Sequence, residues 1–312
     1  MGQTGFTREL GIGGGMILLN PEVRIETTNK CNASCITCPR DQLARQKMTM
    51  DYNHFVTLVM EAYELGAETI SPFGYGEPLM DKRIADKIAF CTRMGLKTFI
   101  TTNASLLTLD TTRALLDAGL GHIRFSAHGI FDNYEKVHGL KWDTFERNVF
   151  NFIKVRRDLP CRADVTIIPM HGESVGELLN FWNGKVDDIE IWQPHGWGGK
   201  KQYRKSSEKI PTCGRPQRGP VQIQSDGTVI PCCFLMDSEI VLGNTYEDSI
   251  ADILKGDKFK ELRRKHREGE LEGLPCLYCD QRLVLEKSPL LYSSIGKDIN
   301  KTSSTKFNLL EE

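Results

Sequence analysis

Lys30-Cys-Asn-Ala-Ser-Cys-Ile-Thr-Cys-Pro39 follows a short β-branched run, and its three cysteines, Cys31, Cys35 and Cys38, stand in the spacing CxxxCxxC. Three thiolates can hold three irons of a 4Fe-4S cube. The fourth iron is then left without a protein ligand and open to another molecule. A structural zinc site wants four ligands in a tetrahedral array, usually as two CxxC-like pairs, and a tight trio fits it poorly. The trio is therefore read as a catalytic iron-sulfur site just beyond a first strand.

Outward from the trio, strand and helix signals alternate. Strands are predicted over 23–28, 69–73, 97–102, 122–126, 162–168 and 188–193, and helices over 52–65, 81–94, 108–118, 144–157 and 174–181. Such alternation calls for a parallel sheet with helices outside, and periodicity alone leaves it open or closed. Sites in parallel α/β folds lie at the carboxyl ends of strands, which directs attention to the segments just after each one. After the second strand comes Gly74-Tyr-Gly-Glu-Pro78, a glycine turn that admits a close ligand and adds one carboxylate. The third strand ends at Thr101-Thr-Asn103 and the fourth at Ser126-Ala-His-Gly129, both with short polar side chains able to bond a ribose or carboxylate. Asn103 is equally placed to cap the following helix. The sixth strand runs into Trp192-Gln-Pro-His-Gly-Trp-Gly-Gly199, where indoles offer a substrate wall. His195 and, earlier, His128 are candidate proton acceptors, since imidazole titrates near neutrality.

Beyond residue 200 the pattern changes. A basic stretch leads to Cys213, and segments 220–224 and 228–231 read as a hairpin across Asp226-Gly227, a type I′ signal. Cys232 follows, then a helical segment over 248–267 and Pro275-Cys-Leu-Tyr-Cys279. Cys213, Cys232, Cys276 and Cys279 frame a four-thiolate site, for which local spacing alone admits zinc as readily as iron. Cys233 is left as a spare facing the other way, and Cys91 and Cys161 read as small core residues.

The CxxxCxxC loop and the turn Gly76-Glu77-Pro78 resemble the radical S-adenosylmethionine (SAM) superfamily, with Tyr75 in place of the first glycine of its Gly-Gly-Glu-Pro motif. That resemblance implies a partial (β/α)6 TIM-type barrel. It implies that Cys31, Cys35 and Cys38 hold the SAM-cleaving 4Fe-4S cluster, and that Gly76, Glu77 and Pro78, with Ser126 and Asn103, hold SAM. Thr37 departs from the aromatic residue often found before the third cysteine. The later cysteines, with Gly227 ahead of Cys232 and Leu242-Gly-Asn244 after it, resemble the SPASM/twitch extension in its shortened form, because no cysteine follows Cys279. A second, auxiliary 4Fe-4S cluster on Cys213, Cys232, Cys276 and Cys279 is implied, with electron transfer as its task. The layout is similar to that of twitch-type alcohol dehydrogenases of aminocyclitol antibiotic biosynthesis, of which the 2-deoxy-scyllo-inosamine dehydrogenases are an example.

The expected organisation is an N-terminal extension over 1–20, the barrel over 21–200, the auxiliary cluster domain over 201–286 and a mobile polar tail over 287–312. Forty Lys and Arg against forty-one Asp and Glu leave no basic footprint for a nucleic acid. No apolar run approaches the ~18 residues of a membrane span, and residues 1–16 lack the plan of a signal peptide, so a cytoplasmic protein is expected. The expected activity is that of a radical SAM oxidoreductase. It would abstract hydrogen from a small sugar- or polyol-like metabolite, in a net oxidation in which the auxiliary cluster takes the electron. A donor such as flavodoxin or ferredoxin would feed the first cluster. A maturase acting on a peptide or protein side chain is the alternative, disfavoured by the short segment before strand one. A non-catalytic iron-sulfur or zinc protein would need neither Glu77 nor the polar strand ends.

Overall fold

In a computed structural model that describes residues 18–285, 289–294 and 306–308, the alternation predicted over 23–193 becomes a partial barrel. Its elements are β1 (Glu22–Ile25), α1 (Tyr52–Glu64), β2 (Thr69–Ser71), α2 (Ile84–Arg93), β3 (Lys97–Thr102), α3 (Leu109–Asp117), β4 (His122–Ser126), α4 (Asp132–His138), α5 (Trp142–Arg156), β5 (Arg162–Ile167), β6 (His171–Ser174), α6 (Val175–Trp182) and β7 (Asp188–Trp192). Strands β1, β2, β3, β4, β5 and β7 lie side by side in that order, all parallel. Helix starts follow local chemistry: Asp51 accepts from the Asn53 and His54 amides, and Thr108 from the Thr111 amide. The cap of α3 is therefore Thr108 and not Asn103.

Alternation along the strands sorts the two faces of the sheet. Ile123, Phe125, Ala163, Val165, Ile189 and Ile191 face the helices, where Trp142, Phe145, Phe152 and Trp182 bury against them. A second core joins Val23, Ile25 and Ile70 to α1 and to two helices of the C-terminal region. The opposite face is charged but paired. His122 meets Asp164 at 2.6 Å, Arg124 meets Glu190 at 2.9 Å, and Arg24 and Ser71 both bond Glu22 at 2.7 Å. Each buried charge thus keeps a partner.

The C-terminal region adds α7 (Arg215–Arg218), β8 (Val221–Ile223), β9 (Thr228–Ile230), β10 (Gly243–Asn244), α8 (Ile250–Lys255) and α9 (Asp257–Glu268). β8 pairs in parallel with β1 and antiparallel with β9, which extends the sheet past its first strand. The hairpin turn is not type I′. Only Gly227 has a positive φ, at +81°, while the Gly227 amide bonds the Gln224 carbonyl and the Gln224 amide bonds that of Thr228. This is a type I turn closed by a left-handed glycine, and Asp226 stays on the ordinary side because its carboxylate accepts the Thr228 amide at 3.1 Å.

The expected mobile tail is partly ordered. β11 (Leu290–Ser293) pairs antiparallel with the free edge of β7, with Leu291 buried and Ser294 donating to Asp188. β12 (Lys306–Asn308) pairs with β6. An open strand edge is satisfied by these segments. The remainder of the tail and residues 1–17 lie outside the described residues. Among the described residues no helix is long and apolar enough to cross a membrane.

Candidate active site

Cys31, Cys35 and Cys38 line one cavity of about 200 Å³ together with Gly76, Glu77, Asn103, Ser126, His128 and His195. Five segments that the sequence marked separately, each following a different strand, converge there. The cysteine loop is docked on the glycine turn through the Glu77 amide, which bonds the Lys30 carbonyl at 2.8 Å. Gly76 permits this contact, since a Cβ there would stand 2.2 Å from the Thr28 carbonyl oxygen and 2.6 Å from that of Lys30. A glycine is required by the close approach and not by backbone angle.

Glu77 is almost fully buried, and its carboxylate takes the Thr102 hydroxyl at 2.6 Å and the amides of Asn103 at 2.7 Å and Leu79 at 3.1 Å. Burial nevertheless pushes its pKa up to about 7, against the lowering by these bonds. Among the described residues no cation pairs with it, so the cavity holds a carboxylate suited to an ammonium. Asn103 is committed locally: its side chain donates to Asn32 in the cysteine loop and accepts from Ser105. Ser126 ends β4 at the cavity wall, half-buried.

The two candidate proton acceptors differ. Nδ1 of His128 already accepts the Ile168 amide at 3.2 Å, which leaves its remaining nitrogen as a donor. Nδ1 of His195 is buried and has no hydrogen-bond partner among the described residues. Burial, with the Arg204 charge nearby, holds His195 down to about 4, so it stays neutral at pH 7. Nδ1 of His195 is thus unclaimed, whereas that of His128 already serves as an acceptor. The His195 ring sits 5.0 Å from Phe234 and 6.3 Å from both Trp192 and Trp197. Trp197 belongs partly to the cysteine loop, since its indole donates to the Thr37 carbonyl at 2.7 Å, and Lys201 and Tyr203 clasp the Ile36 carbonyl beside it.

A second cavity of about 150 Å³ shares Cys38, Phe73, Gly74 and Trp197 with the first, and reaches Arg24, Gln222, Tyr75 and Cys233. Cys213, Cys232, Cys276 and Cys279 line a separate void of about 20 Å³ walled by Pro216, Pro231, Phe234 and Leu235. Cys232 and Cys233 line different cavities, but not by strand alternation: β9 ends at Ile230, Cys233 lies in a turn, and the two thiols are hydrogen-bond neighbours. Arg215 and Arg282 also border the small void and offer positive charge to thiolates. Burial pushes the Cys38 thiol up to about 11 and the Cys276 thiol up to about 12, so metal loading must release protons. Among the described residues no three His, Cys, Asp or Glu side chains gather closely enough to hold a single metal ion, and the thiols ring cavities instead. Cys91 and Cys161 are buried in the core, as expected.

Sequence reasoning missed Asp280 and Arg204. Asp280 follows Cys279 directly, accepts the Gly196 amide at 2.6 Å and pairs with buried Arg204. Its place beside the CxxC pair was visible, but its partners 76 and 84 positions away were not.

Residues 25–181 match the model of the Radical SAM superfamily and residues 213–280 that of the SPASM iron-sulfur cluster-binding domain. The chain belongs to the radical SAM superfamily and carries a SPASM domain. Membership implies a 4Fe-4S cluster and SAM in the barrel, and auxiliary iron-sulfur ligation after it. The chain is similar to an uncharacterised protein of Methanocaldococcus jannaschii, 31% identical over 54% of this chain and 56% of that protein. It is also similar to a PqqA peptide cyclase of Bradyrhizobium diazoefficiens, 25% identical over 58% of this chain and 48% of that one. The chain thus spans about half the length of these curated relatives. Among solved structures, BtrN in complex with AdoMet and 2-DOIA superposes with a TM-score of 0.59 at 21% identity, covering 85% of this chain and 94% of its own. SuiB of Streptococcus suis bound to precursor peptide SuiA gives 0.65 at 17%, covering 84% and 70%. These last two likenesses concern the fold.

Proposed function

We propose that the chain is a radical SAM oxidoreductase acting on a small, sugar- or polyol-like metabolite. Cys31, Cys35 and Cys38 would hold the SAM-cleaving cluster, Glu77 the SAM ammonium, and Ser126 its polar groups. Cys213, Cys232, Cys276 and Cys279 would hold the auxiliary cluster. When bound, these groups supply the electron that cleaves SAM to a 5′-deoxyadenosyl radical and an acceptor for the electron of oxidation. The chain's own part is positional and acid-base. Glu77 orients a cation in the cavity it lines, and neutral His195 accepts the proton lost from the hydroxyl of the carbon being oxidised. Phe73 and Trp197 line both cavities and Tyr75 the second, which puts aromatic surface where the two meet.

The observation that carries this reading is the adjacency of two unlike sites. A three-thiol cavity with a buried Glu77 that pairs with no cation among the described residues shares four lining residues with a second cavity, and Cys233, which lines the latter, adjoins Cys232 of the four-cysteine void. Four thiols saturate a cube and leave it no open iron, which suits an electron acceptor. The likeness to SuiB and to PqqA peptide cyclase favours a second reading, a peptide as hydrogen source. The test is anaerobic turnover with flavodoxin or ferredoxin as donor, reading deoxyadenosine and deuterium transfer from deuterated aminocyclitols, sugars and precursor peptides. Deuterium in deoxyadenosine from a cyclitol or sugar supports the first reading, and deuterium from a peptide alone overturns it.

A further inference from the structure

His138 closes α4 and is buried, 1% exposed, yet the sequence did not mark it. Both of its ring nitrogens are accounted for. Nε2 lies 3.0 Å from the backbone nitrogen of His128, a group that can only donate, so Nε2 carries a lone pair and no proton. The ring is therefore neutral with its proton on Nδ1. Nδ1 stands 3.2 Å from Sγ of Cys35. An N–H thus points at the middle cysteine of the trio, in a tautomer fixed by the backbone.

The donor is held rigidly. His138 stacks between Tyr134, at 4.4 Å, and His128, at 4.9 Å. The end of α4 is tied to the cysteine loop on both sides of Cys35, by the Ser34 amide to the His138 carbonyl at 3.0 Å and the Ile36 amide to the Val137 carbonyl at 2.9 Å. Gly139 caps the helix with φ +66°, where a Cβ would lie 2.1 Å from the Ser34 hydroxyl.

We propose that His138 is a positioning residue whose Nδ1–H donates a hydrogen bond to the Cys35 thiolate and raises the reduction potential of the cluster that this thiolate holds. The inference rests on the assignment of Cys35 as a cluster ligand. A donor to a cluster sulfur draws off electron density and favours the more negative, reduced state. At a potential where the wild type is half reduced, loss of this bond lowers the reduced-to-oxidised ratio about ten-fold, or ~59 mV for a one-electron couple.

The test uses the full chain, reconstituted anaerobically with iron and sulfide, and reads the midpoint potential of the SAM-responsive EPR signal. His138→Gln places its amide at the Nε2 position and loses the donor to Cys35, whereas His138→Asn places an amide nitrogen at Nδ1 and keeps it. A lowered midpoint for Gln, with iron retained and Asn close to wild type, supports the proposal. An unmoved midpoint for Gln with full iron overturns it. Pulsed EPR of wild type containing ¹⁵N-histidine, without SAM, needs no variant: imidazole coupling supports the contact and its absence overturns it. If Cys31, Cys35 and Cys38 all changed to Ala leave the iron content unchanged, the ligand assignment itself fails, and the His138 proposal with it.

Discussion

The two cysteine groups of this chain are built on opposite plans. Cys31, Cys35 and Cys38 border a roomy cavity with a buried carboxylate and three histidines, while Cys213, Cys232, Cys276 and Cys279 border a far smaller void walled largely by proline and apolar side chains. The first group is short of one ligand and surrounded by groups that can bind one. The second is complete, and the charges near it, Arg215 and Arg282, are fixed. The proposed function follows that contrast: chemistry where a coordination position and polar partners are both left open, and electron storage where neither is.

The sharpest way to break that contrast is to remove each group in turn. Cys31, Cys35 and Cys38 all changed to Ala should abolish deoxyadenosine formation and leave about four irons of about eight per chain. Cys276 and Cys279 changed to Ala should keep SAM cleavage and lose product. Equal losses of SAM cleavage in both would erase the distinction. Next, His195→Gln should lower the rate of product formation by about 10²-fold while deoxyadenosine from the first turnover persists, as expected of a proton acceptor. A parallel fall in both would return His195 to the wall.

Asp280→Asn tests the joint between the two plans. It leaves the buried Arg204 guanidinium without its carboxylate and should cost about 3 kcal/mol in denaturant unfolding. A loss below about 0.5 kcal/mol would mean that the joint carries no load. The smallest expected effect concerns Glu77. Between the ordinary carboxylate pKa of 4.5 and about 7, the unfolded chain has lost a proton that the folded chain keeps, so this group lowers stability as pH rises through that window. A bound cation favours the ionised form, so SAM should bind more tightly as pH rises through about 7. Glu77→Gln should weaken SAM about ten-fold or more and flatten that dependence, as calorimetry across pH can read.

Much of this contrast was legible because it rests on spacing. The CxxxCxxC trio, the Gly76-Glu77-Pro78 turn and the CxxC pair are local signals, and the six parallel strands follow from alternation. His138 escaped notice because α4 is seven residues long and its partners, Cys35 and the His128 amide, come from two other loops. β11 escaped because Leu290, Leu291 and Tyr292 sit in a polar stretch, and only the free edge of β7 gives them a reason to extend. The Asp226-Gly227 turn was placed correctly but typed wrongly, because the Asp226 side chain chose the backbone angle. His128 and His195 look equal in sequence. A single backbone amide, that of Ile168, separates them.

Asp280 stands one peptide bond from Cys279 and grips the Gly196 amide, one residue from His195. Whatever fixes the last thiol of the four-cysteine site therefore also sets the register of the loop that carries His195. If the four cysteines hold a cluster as proposed, this bond ties their assembly to the seating of His195.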